Sequence, residues 1–386
     1  MDKIKMLYAS PFVPMKSGIS DYSAILVSEL ARKADITLYI DNYKLKDQKF
    51  KEEFDVLRYG VDTIYFHEYK YLVYNIGNNP YYHSYIYETC LKYPGVVILH
   101  DVILYYLTVG YYQSKGKLYS KIYEMEGIEG VLKVKEALKS GINDLLRKKS
   151  LAHILPLNQE LLHSQNKFIV HSEFAYQIVK KHTDNVKKIN MIPQVHDNFR
   201  LIEKMDLFKK FHISEDVFVI ASFGIIAETK RNDEICRAVL NIHKELNRKI
   251  CYVMVGEGDY VNQFVDHRII YKTGFVSMNE FDSFIVHSDI VLNLRYPSMG
   301  ETSAALIKVL QMGKACIIND EGWFGEIPDD CVIKIGKENI QRELEAKLKE
   351  YIGDSNKRLD VAQKAKQYIE REYAPRDIIK SIFDFI

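Results

Sequence analysis

The sequence predicts an α/β protein of two Rossmann-like domains, each a parallel sheet covered on both faces by helices. Two observations predict this. Short apolar runs rich in β-branched residues recur along all 386 residues, and most are followed by a stretch of helical periodicity. Strand and helix in alternation imply parallel strands buried on both faces. The runs are also too many for one open sheet, in a chain too long for one ordinary core. They divide near IPQVHDNFR, residues 192–200, where the Pro193 turn breaks the pattern. The expected domains are therefore 1–195 and 200–369. The last stretch contains a helix interrupted around Pro375, and about 370–386 is expected to cross back onto the first domain.

The runs of the first half are IKMLYAS, ITLYI, YLVYNIG, GVVILHD and KFIVHS. In open parallel sheets, ligands bind beyond the carboxyl ends of the strands, so polar residues just after each run are the candidates. After the first run the loop ends at Gly18-Ile19-Ser20, and Ser20 or Asp21 is expected to cap the next helix. Glycine there admits a ligand close to the backbone, although an ordinary capped turn reads the same way. YNIGNNPYYHSYIY sets Asn75, Gly77, Asn78, Asn79 and His83 after a strand, as a turn or as donors to sugar hydroxyls. GVVILHD puts His100 and Asp101 at a strand end, where a core histidine and a functional one are both consistent with the pattern.

Residues 111–165 leave the alternation. They are helical by pattern and rich in cations: Lys115, Lys117, Lys121, Lys133, Lys135, Lys139, Arg147, Lys148 and Lys149. Solvated helix faces account for them, and an acceptor or anionic-membrane surface is the sharper reading.

The runs of the second half are VFVIASFG, ICYVMVGEG, DIVLNLR, KACIIND and CVIKIG. After the first of them, Gly224 leads to Lys230-Arg231, just before a helix expected to be capped by Asn232 or Asp233. Two cations at a helix start oppose its dipole, which suits a phosphate between them. Gly256, Glu257 and Gly258 allow a tight backbone approach. Then comes SDIVLNLRYPSMGETSAALIKVLQMG, where a strand ends in Arg295 and Glu301-Thr302-Ser303 is expected to open an apolar helix. Such a start faces amides and hydroxyls toward a pyrophosphate and a sugar.

Composition narrows the class. Hydrophobic residues are 47%, charged residues 27% and formal net charge is +1, so no global field calls for nucleic acid. The five cysteines lack metal spacing and read as buried hydrophobes of a reducing compartment. The N-terminal apolar run is too short for a signal peptide, and no run has membrane-spanning length. A cytoplasmic protein is the expectation. The 28 tyrosines beside one tryptophan find no functional account in the sequence beyond packing.

In order along the chain, SGISDYS, LHD, FIVHSEFA, FGIIAETKR and the stretch TGFVSMNEFDSFIVHSDIVLNLRYPSMGETS together resemble glycosyltransferase family 4, the retaining GT-B enzymes. The likeness spans nearly the whole chain. It implies two facing Rossmann-like domains with the active site in the cleft between them, and a nucleotide-sugar donor of UDP or GDP type. The acceptor would be a glycan, a lipid-linked saccharide or another hydroxyl. No cofactor and no metal are implied, and no Asp-x-Asp stands on a strand-end loop.

By the same resemblance, His100 and Glu301 act at the reaction centre, while Lys230, Arg231, Gly18, Thr302 and Ser303 hold the donor phosphates. Gly224, Gly256, Glu257 and Arg295 meet the sugar or nucleotide, and Ser20, Asp21, Asn78, Asn79 and Asp101 lie on the acceptor side. The chain departs from the family pattern twice. The family's phosphate-site arginine falls on Ile225, leaving Lys230 as the matching cation, and its second glutamate, a ribose contact, falls near Lys308. A sugar-nucleotide epimerase or a phosphorylase of the same fold, or a non-catalytic two-domain sugar-binding protein, are the competing readings.

Overall fold

A computed structural model describes residues 3–139, 144–147, 149–182, 189–195, 211, 213–214, 216–246 and 248–386. The apolar runs are strands because their β-branched and aromatic side chains fill both faces of a buried parallel sheet. Every residue of the strands Phe218–Phe223 and Ile250–Val255 is buried.

The first sheet has seven strands: β1 (Ile4–Ala9), β2 (Ala34–Ile40), β3 (Asp55–Arg58), β4 (Tyr71–Ile76), β5 (Val96–Leu99), β6 (Lys167–Val170) and β7 (Ile189–Met191). Their order is β3-β2-β1-β4-β5-β6-β7, all parallel. The second has six: β8 (Phe218–Phe223), β9 (Ile250–Val255), β10 (Ile270–Lys272), β11 (Ile290–Asn293), β12 (Cys316–Asn319) and β13 (Ile333–Ile335). Their order is β10-β9-β8-β11-β12-β13, again all parallel. Strand order reverses between β1 and β4 in one sheet and between β8 and β11 in the other. Those are the two places where the fold opens a crevice for a ligand.

The chain forms two compact units. The first comprises Met1–Val195, Met299–Thr302 and Pro375–Ile386, and the second comprises His196–Ser298 and Ser303–Ala374. In the first unit, Ile378, Ile382 and Ile386 of the C-terminal stretch are buried. Lys33 Nζ lies 4.9 Å above the Phe383 ring and Lys167 Nζ lies 5.5 Å above that of Phe385. The helix break at Pro375 is real: one helix ends at Glu372 and the next begins at Pro375, since proline fits a first helical turn and not an interior. Met299 packs into the apolar core of the first unit.

Several expected helix starts move. The helix after β1 begins at Gly18, and Ser17 caps it by accepting from the Ile19 amide at 3.2 Å, so neither Ser20 nor Asp21 is the cap. The helix after β8 begins at Asn232 with no side-chain cap, preceded by Arg231 in the left-handed region at φ 55°. The helix after β11 begins at Ala304 with Ser303 as cap, leaving Glu301 and Thr302 in the loop before it. All five cysteines are buried free thiols.

The Lys-rich region forms the helices Tyr105–Gln113, Leu118–Leu138, Lys149–Ile154 and Gln159–Leu162. Acids already face some of its cations: Lys115 is 2.6 Å from Glu88, Lys121 is 2.7 Å from Glu124, and Lys139 pairs with Glu136. Lys148 and the side chains of Arg147 and Lys149 lie outside the described residues. Among the described residues, no helix is long and apolar enough to cross a membrane.

Candidate functional site

In the second unit the loops after β8 and β9 lie backbone against backbone. The Gly224 amide donates to Val255 O at 2.9 Å and the Ile226 amide to Glu257 O at 2.7 Å. A Cβ on Gly256 would fall 2.0 Å from Gly224 O, and one on Gly258 would fall 2.2 Å from Ile226 O. Only glycine fits such an approach. Glu257 is exposed beside it, and Ile225 stands 68% exposed where the family pattern has a cation.

Over this edge sits Lys230. Its Nζ donates to Phe223 O at 2.7 Å and lies 2.8 Å from where a Gly224 Cβ would be, so the ammonium covers the end of β8. Arg231 behaves differently. Its guanidinium forms a bidentate pair with Glu234 one helical turn on, Nη2 to Oε1 at 2.8 Å, and lies 5.7 Å from the Tyr296 ring. The anion that stabilises Arg231 at this helix start is thus a side chain of the protein itself. Arg295, after β11, joins the same edge: its Nη1 donates to Thr229 Oγ1 at 3.2 Å and its amide to Asn319 Oδ1 at 2.8 Å. Three cations therefore stand on the loops flanking the strand-order reversal. Below them Ser222, Asn232 and Tyr252 form a buried network, with Ser222 Oγ 2.7 Å from Tyr252 Oη and Asn232 Nδ2 donating to Tyr252 Oη at 2.9 Å. Lys308 forms an ion pair with Asp282 at 2.5 Å, so a carboxylate stands beside the position where the resemblance misses one.

Glu301, expected in the second domain, lies in the segment that groups with the first unit. Its Oε2 accepts from the Met299 amide at 2.6 Å, and Thr302 Oγ1 donates to Gln194 Oε1 at 2.7 Å. Met299 O in turn accepts from the Val102 and Ile103 amides at 3.0 and 3.1 Å. The negative charge of Glu301 also reaches His153, whose pKa is lowered by burial and partly restored by that carboxylate.

The first unit gathers three buried histidines at the carboxyl ends of β4, β5 and β6. Asn75 holds two of them, while His171 Nδ1 faces Ile192 O at 2.7 Å. Asn75 Nδ2 donates to Ala9 O at 3.3 Å, its carbonyl faces His83 Nδ1 at 3.1 Å, and its Oδ1 faces His100 Nε2 at 3.2 Å. An amide oxygen only accepts, so His100 carries its proton on Nε2 and its lone pair on Nδ1. Tyr22 stands edge-on to His100 at 4.7 Å, and His171 lies 5.1 Å from His100. Burial holds His100 well below the ordinary histidine range, with His171 and His83 adding to the effect, and burial pushes His83 and His171 down to about 4. All three are neutral at pH 7. The Tyr22 hydroxyl and His171 Nε2 are buried and find no hydrogen-bond partner among the described residues, so both are able to bond a ligand or a water.

Several of the remaining candidates have structural work. Asp101 Oδ2 accepts from the Asn78 amide at 2.7 Å, Asn78 Oδ1 accepts from the Leu107 amide at 3.1 Å, and Asn79 caps the helix Pro80–Lys92. Ser20 Oγ donates to Met15 O at 3.1 Å. Asp21 and Gly18 are exposed in the first turn of their helix. Tyr22, His171, His153 and Thr229 were not among the sequence candidates. His171 could have been found, because KFIVHS ends an apolar strand in histidine just as GVVILHD does.

The neutral histidines carry a pH signature. Unfolded histidine titrates near 6.5, whereas His83 and His171 do so at about 4 in the folded protein. Between those values the unfolded chain binds more protons, so the first unit keeps its full stability above about pH 6.5 and loses it as pH falls toward 4. Urea unfolding followed by circular dichroism should show a midpoint that drops from pH 7 to pH 5, and less so in a His83→Asn/His171→Asn double variant. Fluorescence of Trp323, in the second unit, supplies the internal reference. A first-unit midpoint unmoved by pH contradicts the assignment.

Two parallel Rossmann-like sheets with ligand crevices at their reversals define the GT-B class of fold. Solved structures of that class are similar over nearly their whole length. WaaG, a glycosyltransferase involved in lipopolysaccharide biosynthesis, aligns at a TM-score of 0.66 and 14% identity, covering 98% of this chain and 99% of its own. Sucrose-phosphate synthase from Thermosynechococcus elongatus aligns at 0.68 and 10%, covering 99% and 98%. HepE from Anabaena, in complex with UDP-glucose, aligns at 0.67 and 13%, covering 99% and 98%. No family model and no curated protein sequence matches the chain.

Proposed function

We propose that the chain is a retaining glycosyltransferase that moves a sugar from a UDP- or GDP-type nucleotide sugar to a hydroxyl of a glycan or lipid-linked acceptor. The observation that carries this is the cationic edge in the second unit, where Lys230, Arg231 and Arg295 flank the reversal between β8 and β11. The fold supports it, since similar structures include one holding UDP-glucose. In this reading the diphosphate rests over Gly224 beneath Lys230, with the Gly256–Gly258 backbone admitting the nucleotide closely.

Transfer proceeds through an oxocarbenium-like transition state in which the departing diphosphate helps to remove the acceptor proton. The second unit's task is to offset the growing charge on that phosphate. Neutral His100, with its lone pair on Nδ1, is suited to accept from a sugar hydroxyl and not to neutralise a phosphate. Glu301 accepts from donor-sugar hydroxyls. We place the reaction in the cytoplasm, at the inner face of the membrane when the acceptor is lipid-linked, as a step of polysaccharide assembly. No metal takes part.

The test is product formation with a panel of UDP- and GDP-sugars and saccharide acceptors, read by mass spectrometry of the product. Retained anomeric configuration and undiminished turnover in EDTA are expected. Hydrolysis of the donor without any transferred product refutes the reading, and loss of activity in EDTA restored by manganese or magnesium refutes its metal-free form.

A further inference from the structure

Part of the tyrosine excess gathers at one place in the first unit. A cleft of about 250 Å³ lies beyond the carboxyl ends of β1 and β2, lined in part by Asp41, Asn42, Tyr43, Tyr81, Tyr82 and Tyr85. We propose that this cleft binds one ring of a saccharide acceptor, which makes a carbohydrate the acceptor class. The inference rests on the glycosyl-transfer reading and deepens it.

The chemistry of the lining selects the occupant. A sugar ring offers an apolar C–H face and a rim of hydroxyls, and therefore needs aromatic faces beside hydrogen-bond acceptors. The cleft supplies both. The volume is a little below the roughly 300–1,000 Å³ of pockets for drug-sized ligands, which suits a single ring. Among the described residues no lining side chain is cationic, so a donor phosphate is not the occupant. Of aliphatic character the lining offers only Pro11 and Met15, too little for an acyl chain.

The walls are fixed in advance. Tyr43 Oη accepts from the Phe12 amide at 2.8 Å, and Tyr85 Oη donates to Ser10 O at 3.0 Å. Asp41 is aimed by its own turn: its Oδ1 accepts from the Asn42 amide at 2.8 Å, and its carbonyl accepts from the Tyr43 amide at 2.7 Å. A carboxylate has about four lone-pair sites, enough for sugar hydroxyls as well. Tyr81 stands 76% exposed at the cleft, with its ring perpendicular to that of Tyr82 at 5.2 Å. A large aromatic side chain held in water beside a cleft costs free energy that a ligand would recover.

The segment is YNIGNNPYYHSYIY, whose asparagines read as a turn or as contacts to sugar hydroxyls. Asn78 and Asn79 turn out to build the turn and cap the helix, and that helix start presents Tyr81 and Tyr82 to the cleft.

The experiment is saturation-transfer NMR on the full chain without donor, using methyl glycosides of glucose, galactose, mannose and N-acetylglucosamine. At least one should bind, and its affinity should fall roughly fivefold or more in Tyr81→Ala and in Asp41→Asn, the scale of one lost contact. Asp41→Asn keeps an acceptor for the Asn42 amide, and exposed Tyr81 is dispensable for folding, which melting temperatures of both variants verify. UDP affinity by calorimetry should be unchanged in both. The proposal is overturned if no methyl glycoside binds, or if both variants bind it as the unaltered chain does. Failure of the unaltered chain to bind UDP or GDP would instead strike the glycosyl-transfer reading and leave the cleft result to be judged by itself.

Discussion

Replacing Lys230 with alanine should weaken binding of the nucleoside diphosphate at least tenfold, while Arg231→Ala should cost distinctly less. The sequence treats the two cations as a pair; the structure separates them. Lys230 places its ammonium over Gly224 at the end of β8, where it donates to Phe223 O. A charge-assisted hydrogen bond to phosphate contributes about 1.5–3 kcal/mol, and 1.4 kcal/mol is a factor of about ten. Arg231 is engaged in its bidentate pair with Glu234 and stacked toward Tyr296. To serve a phosphate it must share or break that pair, so its net contribution is smaller. Calorimetry with UDP and GDP on each single variant decides the matter. Equal losses in both variants would remove the distinction, and undiminished affinity in Lys230→Ala would remove this site from the donor reading.

What could be read from the sequence follows how strongly local pattern fixes each feature. The ten apolar runs are all strands, because a parallel strand buried on both faces is apolar at most positions. The three strands not read, β3, β7 and β10, are all sheet edges of three or four residues. Such a short edge strand is paired on one side only and offers few apolar residues in a row, as in DVLR, where no residue is buried. The edge strand β13, by contrast, was legible because CVIKIG keeps its apolar residues.

The candidate site residues divide on similar lines. Lys230 and Gly224 were legible because the strand-end rule places them. Asn78, Asn79 and Asp101 were legible as strand-end polar residues, but their partners were not. Only the fold shows that the Asn78 side-chain oxygen accepts from the Leu107 amide. The Arg231–Glu234 pair was open to a closer reading, since opposite charges three apart on a helix meet. The meeting of Tyr22, His83, His100 and His171 was not, because they come from four separate strand–helix junctions.

Glu301 gives the second large effect. Glu301→Gln should lower turnover roughly ten- to thousandfold, the scale of losing a charged contact made in the transition state. A plain alternative is an acid at a helix start that complements the dipole. That alternative lapses, since the helix begins at Ala304 and Glu301 lies in the loop before it. A different structural role remains: the Glu301 carboxylate accepts from the Met299 amide at 2.6 Å and so shapes the turn around Gly300, whose φ is 83°. Glutamine keeps an oxygen that can accept from that amide, so the turn and the melting temperature should be preserved. What it loses is the charge, which matters where donor-sugar hydroxyls bond the carboxylate as positive charge grows at the anomeric carbon. UDP lacks the sugar, and its affinity should barely move. His153 reports independently, because Glu301 raises its pKa against the effect of burial. In the variant its titration followed by NMR should move to lower pH, showing that the charge was present. A variant with lowered His153 pKa, unchanged melting temperature and near-normal turnover would place the donor-sugar contact on another residue. A large loss of turnover with intact UDP binding assigns it to Glu301.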